Sequence, residues 1–209
     1  LSKGIPTIVL TADYNKDLQQ NLLNKGVLDY FVKDGVEVID SVTHAIDHYI
    51  HNKNIHILVV DDSRSIRAHL NTLLSRYGYK VFMAEDGRVA LRLVNEQRVD
   101  LIISDYQMPN MDDLQMVKKL RTRFLQDEIA VIGLSSQDNS DLAVQFIKSG
   151  ANDFLPKPYR AEELLCRVFQ NIDLIERRKE LGSLIERHKS ILNHALDAII
   201  TTDDTGTVL

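Results

Sequence analysis

The chain has 209 residues, enough for one large domain or one and a half ordinary ones. With 44% hydrophobic and 26% charged residues it reads as a globular protein, and a formal net charge of −5 gives no reason to expect nucleic acid as a partner. No apolar run approaches the roughly 20 residues of a membrane span, no secretory leader pattern opens the chain, and the single Cys166 excludes an internal disulfide, which fits a reducing cytoplasm.

The first segment, residues 1–52, is explained by a later one. At an offset of 124, residues 5–34 align without a gap to residues 129–158. "IPTIVLTADYNKDLQQNLLNKGVLDYFVKD" then pairs with "IAVIGLSSQDNSDLAVQFIKSGANDFLPKP". Ile5, Leu10, Asn15, Asp17, Leu18, Gly26, Asp29 and Lys33 each meet an identical residue. Residues 1–52 are therefore expected to be the second half of another copy of the following domain. Half of such a sheet exposes an open edge and raw apolar faces, so the other half is expected elsewhere in a longer parent. The linker between the copies is "HNKN", residues 51–54. His44, His48 and His51 share one helical face just before it and are expected to be solvated.

Residues 55–175 alternate strand and helix signals. Apolar or β-branched runs lie at 56–60, 80–84, 101–104, 129–134 and 153–155. Between them, Ile66, Leu70, Leu73 and Tyr77 recur at helical spacing, as do Val89, Leu93 and Gln97 behind a candidate N-cap, Asp86. Leu114, Val117, Leu120 and Phe124 form a third stripe, Leu142, Phe146 and Gly150 a fourth, and a fifth helix begins after Pro158. Five strands alternating with five helices imply an α/β fold with a doubly wound, five-stranded parallel sheet. The continuous apolar strands "ILVV" and "LIIS" agree with burial on both faces.

The last helix does not stop with the domain. From Ala161 to about Leu196 there is no Pro and only Gly182, and Leu181, Leu184, His188, Ile191 and Ala195 follow a heptad spacing. The earlier phase, Leu165–Val168–Ile172–Ile175, slips near Arg178, which reads as a stutter. Residues 176–194 are expected to form a helical, coiled-coil linker, and Cys166 to be a small packed residue within the helix. The tail, 195–209, changes to "AIITTD", a "DDTG" turn and "TVL", the opening of another domain.

Open α/β sheets bind ligands beyond the carboxyl ends of their strands. Those ends carry Asp61 and Asp62, then Asp105, Ser135 with Ser136, and Lys157 between two prolines. Three carboxylates, a hydroxyl and an ammonium thus converge on one crevice. Clustered carboxylates repel one another unless a cation is present, and an all-oxygen set suits Mg²⁺. With charge neutralised, a carboxylate on the central strand is a competent nucleophile toward phosphorus. Asp105 occupies that strand.

The motifs "VVDDS", "SDYQMPNMDD", "IGLSS" and "GANDFLPKP" make residues 55–175 resemble a receiver domain of a two-component response regulator, with the flavodoxin-like (βα)5 fold and strand order 2-1-3-4-5. The resemblance implies that Asp105 is the phosphoacceptor, loaded from a sensor histidine kinase or a histidine phosphotransfer protein. Asp62, Asp105 and the backbone carbonyl of Gln107 would bind Mg²⁺ directly, and Asp61 through water. Ser135 matches the switch hydroxyl, Phe154 the switch aromatic and Lys157 the site lysine, followed by Pro158 in a bond the family often holds cis. Gln107 and Gln137 sit where the family tunes phosphate lifetime. Through "IVLTAD" and "GVLDYFVKDG", residues 1–52 resemble the latter half of a second receiver, in which Thr11, Tyr30 and Lys33 match the switch and lysine positions and Asp34 replaces Pro. The tail resembles the start of a PAS domain.

This organisation resembles the front of multidomain bacterial regulators, many of which end in modules that make or degrade cyclic di-GMP. It implies a homodimer through a receiver face or the last helix, without direct nucleic-acid or membrane contact. Two other functions remain open on the residues alone. A pseudo-receiver scaffold would suit the first copy. An aspartate-nucleophile phosphatase would need a D-x-D-x-T/V motif where this chain has "DDSRS".

Overall fold

A computed structural model describes residues 5–35, 37–105, 113–135, 140–193, 204–205 and 207. The first unit comprises β1 (Ile8–Thr11), α1 (Lys16–Asn24), β2 (Asp29–Val32) and α2 (Glu37–Asn52). The second comprises β3 (His56–Val60), α3 (Arg64–Arg76), β4 (Lys80–Ala84), α4 (Gly87–Glu96), β5 (Leu101–Asp105), α5 (Asp113–Arg121), β6 (Ala130–Ser135), α6 (Ser140–Lys148), β7 (Asp153–Pro156) and α7 (Ala161–Asn193). The second unit is a five-stranded parallel sheet in the order β4-β3-β5-β6-β7. Counted from β3 this is 2-1-3-4-5, the doubly wound arrangement expected from the alternating signals.

Its central strands β3, β5 and β6 are apolar along most of their length because both faces are covered. On one face Ile57, Val59, Leu101, Ile103 and Ile132 meet α3 and α7 through Leu70, Leu74, Leu164, Val168 and Ile172. On the other, Leu58, Ile102 and Val131 meet α4, α5 and α6 through Ala90, Val94, Met116, Leu120 and Phe146. Asp86 caps α4 as expected: its carboxylate accepts the backbone N–H groups of Arg88 and Val89, both at 2.8 Å. The buried stripe of α4 is Gly87, Ala90 and Val94 rather than Val89, Leu93 and Gln97. Small residues bring the helix close to the sheet, and the larger Val89 and Leu93 flank that contact. The two central strands leave room for the opposite solution at Gly133, where an added Cβ would lie 2.4 Å from the Phe146 ring.

The repeat is visible in backbone detail. β1 and β2 pair in parallel with Ile8 opposite Asp29, and β6 and β7 pair with Ile132 opposite Asp153, both shifted by 124. Lys33 N–H donates to Thr11 O at 2.7 Å, and Lys157 N–H to Ser135 O at 2.6 Å. Gly26 and Gly150, also equivalent, both turn with positive φ, at 88° and 105°. Coverage differs: Leu10 is 44% exposed, whereas its equivalent Leu134 is 1% exposed. Ile39, Ile46 and Ile50 likewise form an exposed apolar stripe on α2.

The linker does not separate the units. Asn52, buried, donates from Nδ2 to Tyr77 O at 2.9 Å. The α3–β4 turn comes so close to α2 that a Cβ on Gly78 would sit 2.7 Å from Tyr49 O. His48 tilts against Phe169 of α7 at 5.4 Å, and His51 pairs with Glu176. The histidine face is thus exposed in part and engaged with α7 in part.

α7 is one continuous helix of 33 residues. It is anchored by Leu164, Leu165, Val168, Ile172 and Ile175 and then leaves the sheet, so that Leu181, Leu184 and Ile185 are exposed. Cys166 is exposed, contrary to expectation. The same helical phase that buries 164, 165, 168 and 172 points position 166 outward. Below the sheet, buried Asp100 accepts from Lys179 Nζ at 3.0 Å, from Arg98 Nη2 at 3.1 Å and from His56 N–H at 3.1 Å. Arg178 pairs with Asp127 at 2.7 Å. No helix among the described residues is long and apolar enough to cross a membrane.

Candidate functional site

The crevice forms at the carboxyl ends of β3, β5, β6 and β7, where the strand order places neighbours. β3 delivers Asp61 and Asp62, β5 ends in Asp105, and β6 ends in Ser135. The β7–α7 loop delivers Lys157, which is followed by a cis Lys157–Pro158 bond. Carboxylate oxygens of Asp61, Asp62 and Asp105 all lie within 4.8 Å of one another. Lys157 Nζ is 3.1 Å from Asp105 Oδ1 and 3.6 Å from Asp61 Oδ2.

The burial of these groups is graded. Asp61 is 1% exposed, Asp105 is half-buried and Asp62 is open. Burial pushes the Asp61 carboxyl above the ordinary carboxylate range; the Ser63 N–H and Lys157 pull it back, and the charges of Asp105 and Asp62 raise it again. Its Oδ1 accepts the Ser63 N–H at 2.8 Å, whereas its Oδ2 is buried without a hydrogen-bond partner among the described residues. An orphaned buried carboxylate oxygen beside two further carboxylates is a donor set that fits a hard, oxygen-seeking divalent cation.

Ser135 is fully buried at the end of β6. Phe154 is half-buried on β7, its ring 6.2 Å from that of Phe146. Gln107 and Gln137 lie outside the described residues. In the first unit Thr11 ends β1, Lys33 follows β2, and Tyr30 is buried with its hydroxyl donating to Asp13 O at 3.0 Å.

Two residues at the site escaped the sequence reading. Arg67, on the first turn of α3, donates from Nη1 to Asp61 O at 2.5 Å and Asp62 O at 3.1 Å, clamping the acidic pair from below. Its only sequence signal is its position one turn after that pair. Tyr159 sits beyond Pro158 with its phenol pushed up to about 12 by burial and by the charges of Asp61 and Asp105. It is a neutral wall of the crevice at physiological pH.

Comparison with known proteins agrees with this geometry. A sequence model of the response regulator receiver domain matches residues 57–169. Response regulator MprA of Mycolicibacterium vanbaalenii is 40% identical over 114 residues, covering 54% of this chain and 48% of that protein. Response regulator MprA of Mycobacterium leprae is 39% identical over 112 residues, 54% of this chain and 48% of that protein. The chain thus spans about half the length of the curated relatives it matches. A putative two-component system response regulator/GGDEF domain protein superposes with a TM-score of 0.76 at 36% identity, over 83% of this chain and 71% of that one. Chemotaxis response regulator CheY4 of Vibrio cholerae superposes with a TM-score of 0.53 at 33% identity, over 56% of this chain and 98% of that one. With its parallel sheet in receiver order and an acidic crevice at the strand ends, the chain belongs to the response regulator receiver domain family.

Proposed function

We propose that residues 55–175 are a phosphorylation-operated switch in which Asp105 accepts a phosphoryl group from a phosphohistidine of a histidine kinase or phosphotransfer protein. The observation that carries this reading is the Lys157 ammonium 3.1 Å from Asp105, at the mouth of a three-carboxylate cluster. An Asp105 oxygen attacks phosphorus as the P–N bond breaks, and the imidazole nitrogen keeps the electron pair. The product is an acyl phosphate and a neutral histidine. Lys157 draws off negative charge from the equatorial oxygens, and the Ser135 hydroxyl donates to the phosphoryl group once it is in place. Phe154, on β7 opposite Gly133 and two positions before the Ser135 level of the sheet, moves inward with Ser135. Mg²⁺, which Asp62, Asp105 and the Gln107 carbonyl would hold directly and Asp61 through water, would supply the remaining charge neutralisation.

Residues 1–52 are proposed as the C-terminal half of a first receiver. The common register and loop hydrogen bonds at an offset of 124 support this. The exposed Leu10, whose equivalent Leu134 is buried, is a surface that its other half would cover. Asp34 in place of Pro158 favours a scaffold role for that unit. Residues 176–194 are read as a dimeric helical linker and 195–209 as the start of a PAS domain, most of which lies outside the described residues. The relative named for both response regulator and GGDEF domains supports an output in cyclic di-GMP metabolism.

Treatment with acetyl phosphate and Mg²⁺, followed by peptide mass spectrometry, tests the main reading. Label at Asp105 is expected. Unlabelled protein that still binds Mg²⁺ would overturn it. Residual label on Asp105→Asn in the longer parent would give the first receiver an acceptor of its own.

A further inference from the structure

The seam between the two units holds a partly open cavity of about 360 Å³, lined among others by Leu28, Asp29, Phe31, Tyr49, Tyr77 and Phe169. It shares no residue with the carboxylate cluster. Ligand cavities fall at roughly 300–1,000 Å³, favour interfaces between domains, and combine apolar or aromatic walls with a few polar groups. This one has the rings of Phe31, Tyr49, Tyr77 and Phe169, the His48 imidazole, the Asn52 amide and one carboxylate.

That carboxylate is the informative group. Asp29 accepts the backbone N–H of Tyr30 at 2.8 Å, and no cation pairs with it among the described residues. Burial holds it above the ordinary carboxylate range. Its equivalent in the second unit, Asp153, makes the same backbone hydrogen bond at 2.8 Å but is also paired with Arg167 of the following helix at 3.2 Å. By the same offset Arg167 corresponds to Thr43, whose hydroxyl donates to Ile39 O of its own helix at 2.8 Å, while Ser41 and Ala45 on the cavity wall correspond to Leu165 and Phe169. A threonine cannot neutralise the carboxylate, and Ser41 and Ala45 are smaller than the leucine and phenylalanine at their equivalent positions. The seam is thus a place where the repeat has lost a cation and gained a cavity.

We infer that this cavity is a binding site for a small organic cation, an amine whose charged head meets Asp29 and whose apolar body lies among Tyr49, Tyr77 and Phe169. Aromatic faces attract cations through their quadrupoles, most strongly where water is excluded. The carboxylate supplies the counter-charge that burial makes costly to leave alone. His48 and Phe169, in contact at 5.4 Å, close the side toward α7. Since Leu28, Asp29 and Phe31 belong to the first unit and Tyr77 and Phe169 to the second, an occupant would tie the units together.

Titration of the whole chain with benzylamine, with benzyl alcohol as the neutral isostere, tests the inference by calorimetry and by NMR shifts of the seam aromatics. The amine is expected to bind with a Kd below about 1 mM and the alcohol at least about tenfold more weakly. Asp29→Asn should weaken amine binding about tenfold or more, while Asp153→Asn should leave it unchanged. Thr43→Arg should abolish binding and raise Tm, because it restores the cation that Arg167 provides in the second unit. Equal affinity for amine and alcohol, no binding of the amine, or indifference to both Asp29→Asn and Thr43→Arg would overturn the inference.

Discussion

Lys157 Nζ lies 3.1 Å from Asp105 Oδ1 and 3.6 Å from Asp61 Oδ2, so one ammonium bridges the carboxylate on the central strand and the most buried carboxylate of the cluster. That bridge links the β7–α7 loop to β5 and β3. Any chemistry that places new negative charge on Asp105 pulls on the same lysine. Lys157→Met should keep the fold, because the side chain is half-buried and its stem packs without its charge. Phosphorylation of Asp105 by acetyl phosphate should slow on the order of 100-fold, the usual effect of losing one preorganised donor to a developing anion. Stopped-flow fluorescence or timed mass spectrometry would measure this. An unchanged rate would remove Lys157 from the proposed mechanism.

Asp61 gives the site a pH signature. Its folded-state pKa is raised, first by burial, so the folded protein holds that proton more tightly than the unfolded chain does. The resulting stabilisation is present below the ordinary value of 3.8 and is lost as pH rises through the folded value. At neutral pH, without a divalent cation, ionised Asp61 therefore costs stability. Asp61→Asn should raise the urea midpoint at neutral pH, and the gain should shrink toward pH 3.8. Mg²⁺ should stabilise the parent protein, by about 2.7 kcal/mol at 100 times its Kd, and stabilise the variant less. A variant that is less stable than the parent at neutral pH would contradict the direction.

The legibility of the fold and of the site rested on different signals. Apolar strands and helical stripes exposed the parallel sheet because burial on both faces leaves no polar alternation to confuse the period. The repeat was readable because its matched residues, Gly26 with Gly150 and Asp29 with Asp153, fix turns and registers that tolerate little change. Arg67 was missed because its role is to hold backbone carbonyls, which no side-chain motif encodes. Cys166 was misplaced because a helix that leaves its sheet alternates buried and exposed positions too closely for composition to resolve. Asp29 matched its repeat partner in sequence, and only the structure revealed the missing cation beside it.

Gly133 connects sheet packing to the switch region. A Cβ there would lie 2.4 Å from Phe146 Cε1, well inside any real contact, and the Phe146 ring is itself 6.2 Å from that of Phe154. Gly133→Ala should therefore destabilise the protein by about 1–3 kcal/mol, the usual cost of overpacking. Phe146→Leu in the same chain should recover part of that loss, since the clash is with the ring. A double-mutant cycle on urea midpoints would measure the coupling. Additive effects would place the strain elsewhere.

Asp100 holds the departing helix to the base of the sheet. Burial alone would raise its carboxyl, but hydrogen bonds from Lys179, His56 N–H and Arg98 outweigh burial and hold it below the ordinary value of 3.8. Its contribution to stability is present above 3.8 and is lost as pH falls through the lowered folded value. Asp100→Ala strands those donors and should cost about 2–4 kcal/mol. Lys179→Met removes one partly exposed donor and should cost about 1 kcal/mol or less. Chemical denaturation would rank the two, and the reverse order would show that Lys179 matters more as packing than as a partner.

Beyond Ile175, α7 carries an apolar stripe that nothing on its own sheet covers. Leu181, Leu184 and Ile185 are 59%, 49% and 53% exposed, although the helix continues unbroken to Asn193. An isolated helical extension of this kind is marginal in water, and most helical stability comes from packing of the apolar face. A parallel partner helix would supply that packing through the heptad positions. Sedimentation velocity should therefore detect a reversible dimer, and Leu184→Lys should shift it toward monomer, because an ammonium at a core heptad position must be desolvated. The α7 anchor at Leu164, Val168 and Ile172 lies outside the stripe, so receiver stability should be unaffected by the same change. A parent that stays monomeric at high concentration, or a dimer indifferent to Leu184→Lys, would reject the coiled-coil linker. Phosphorylation of Asp105 would then have to reach its output by another route.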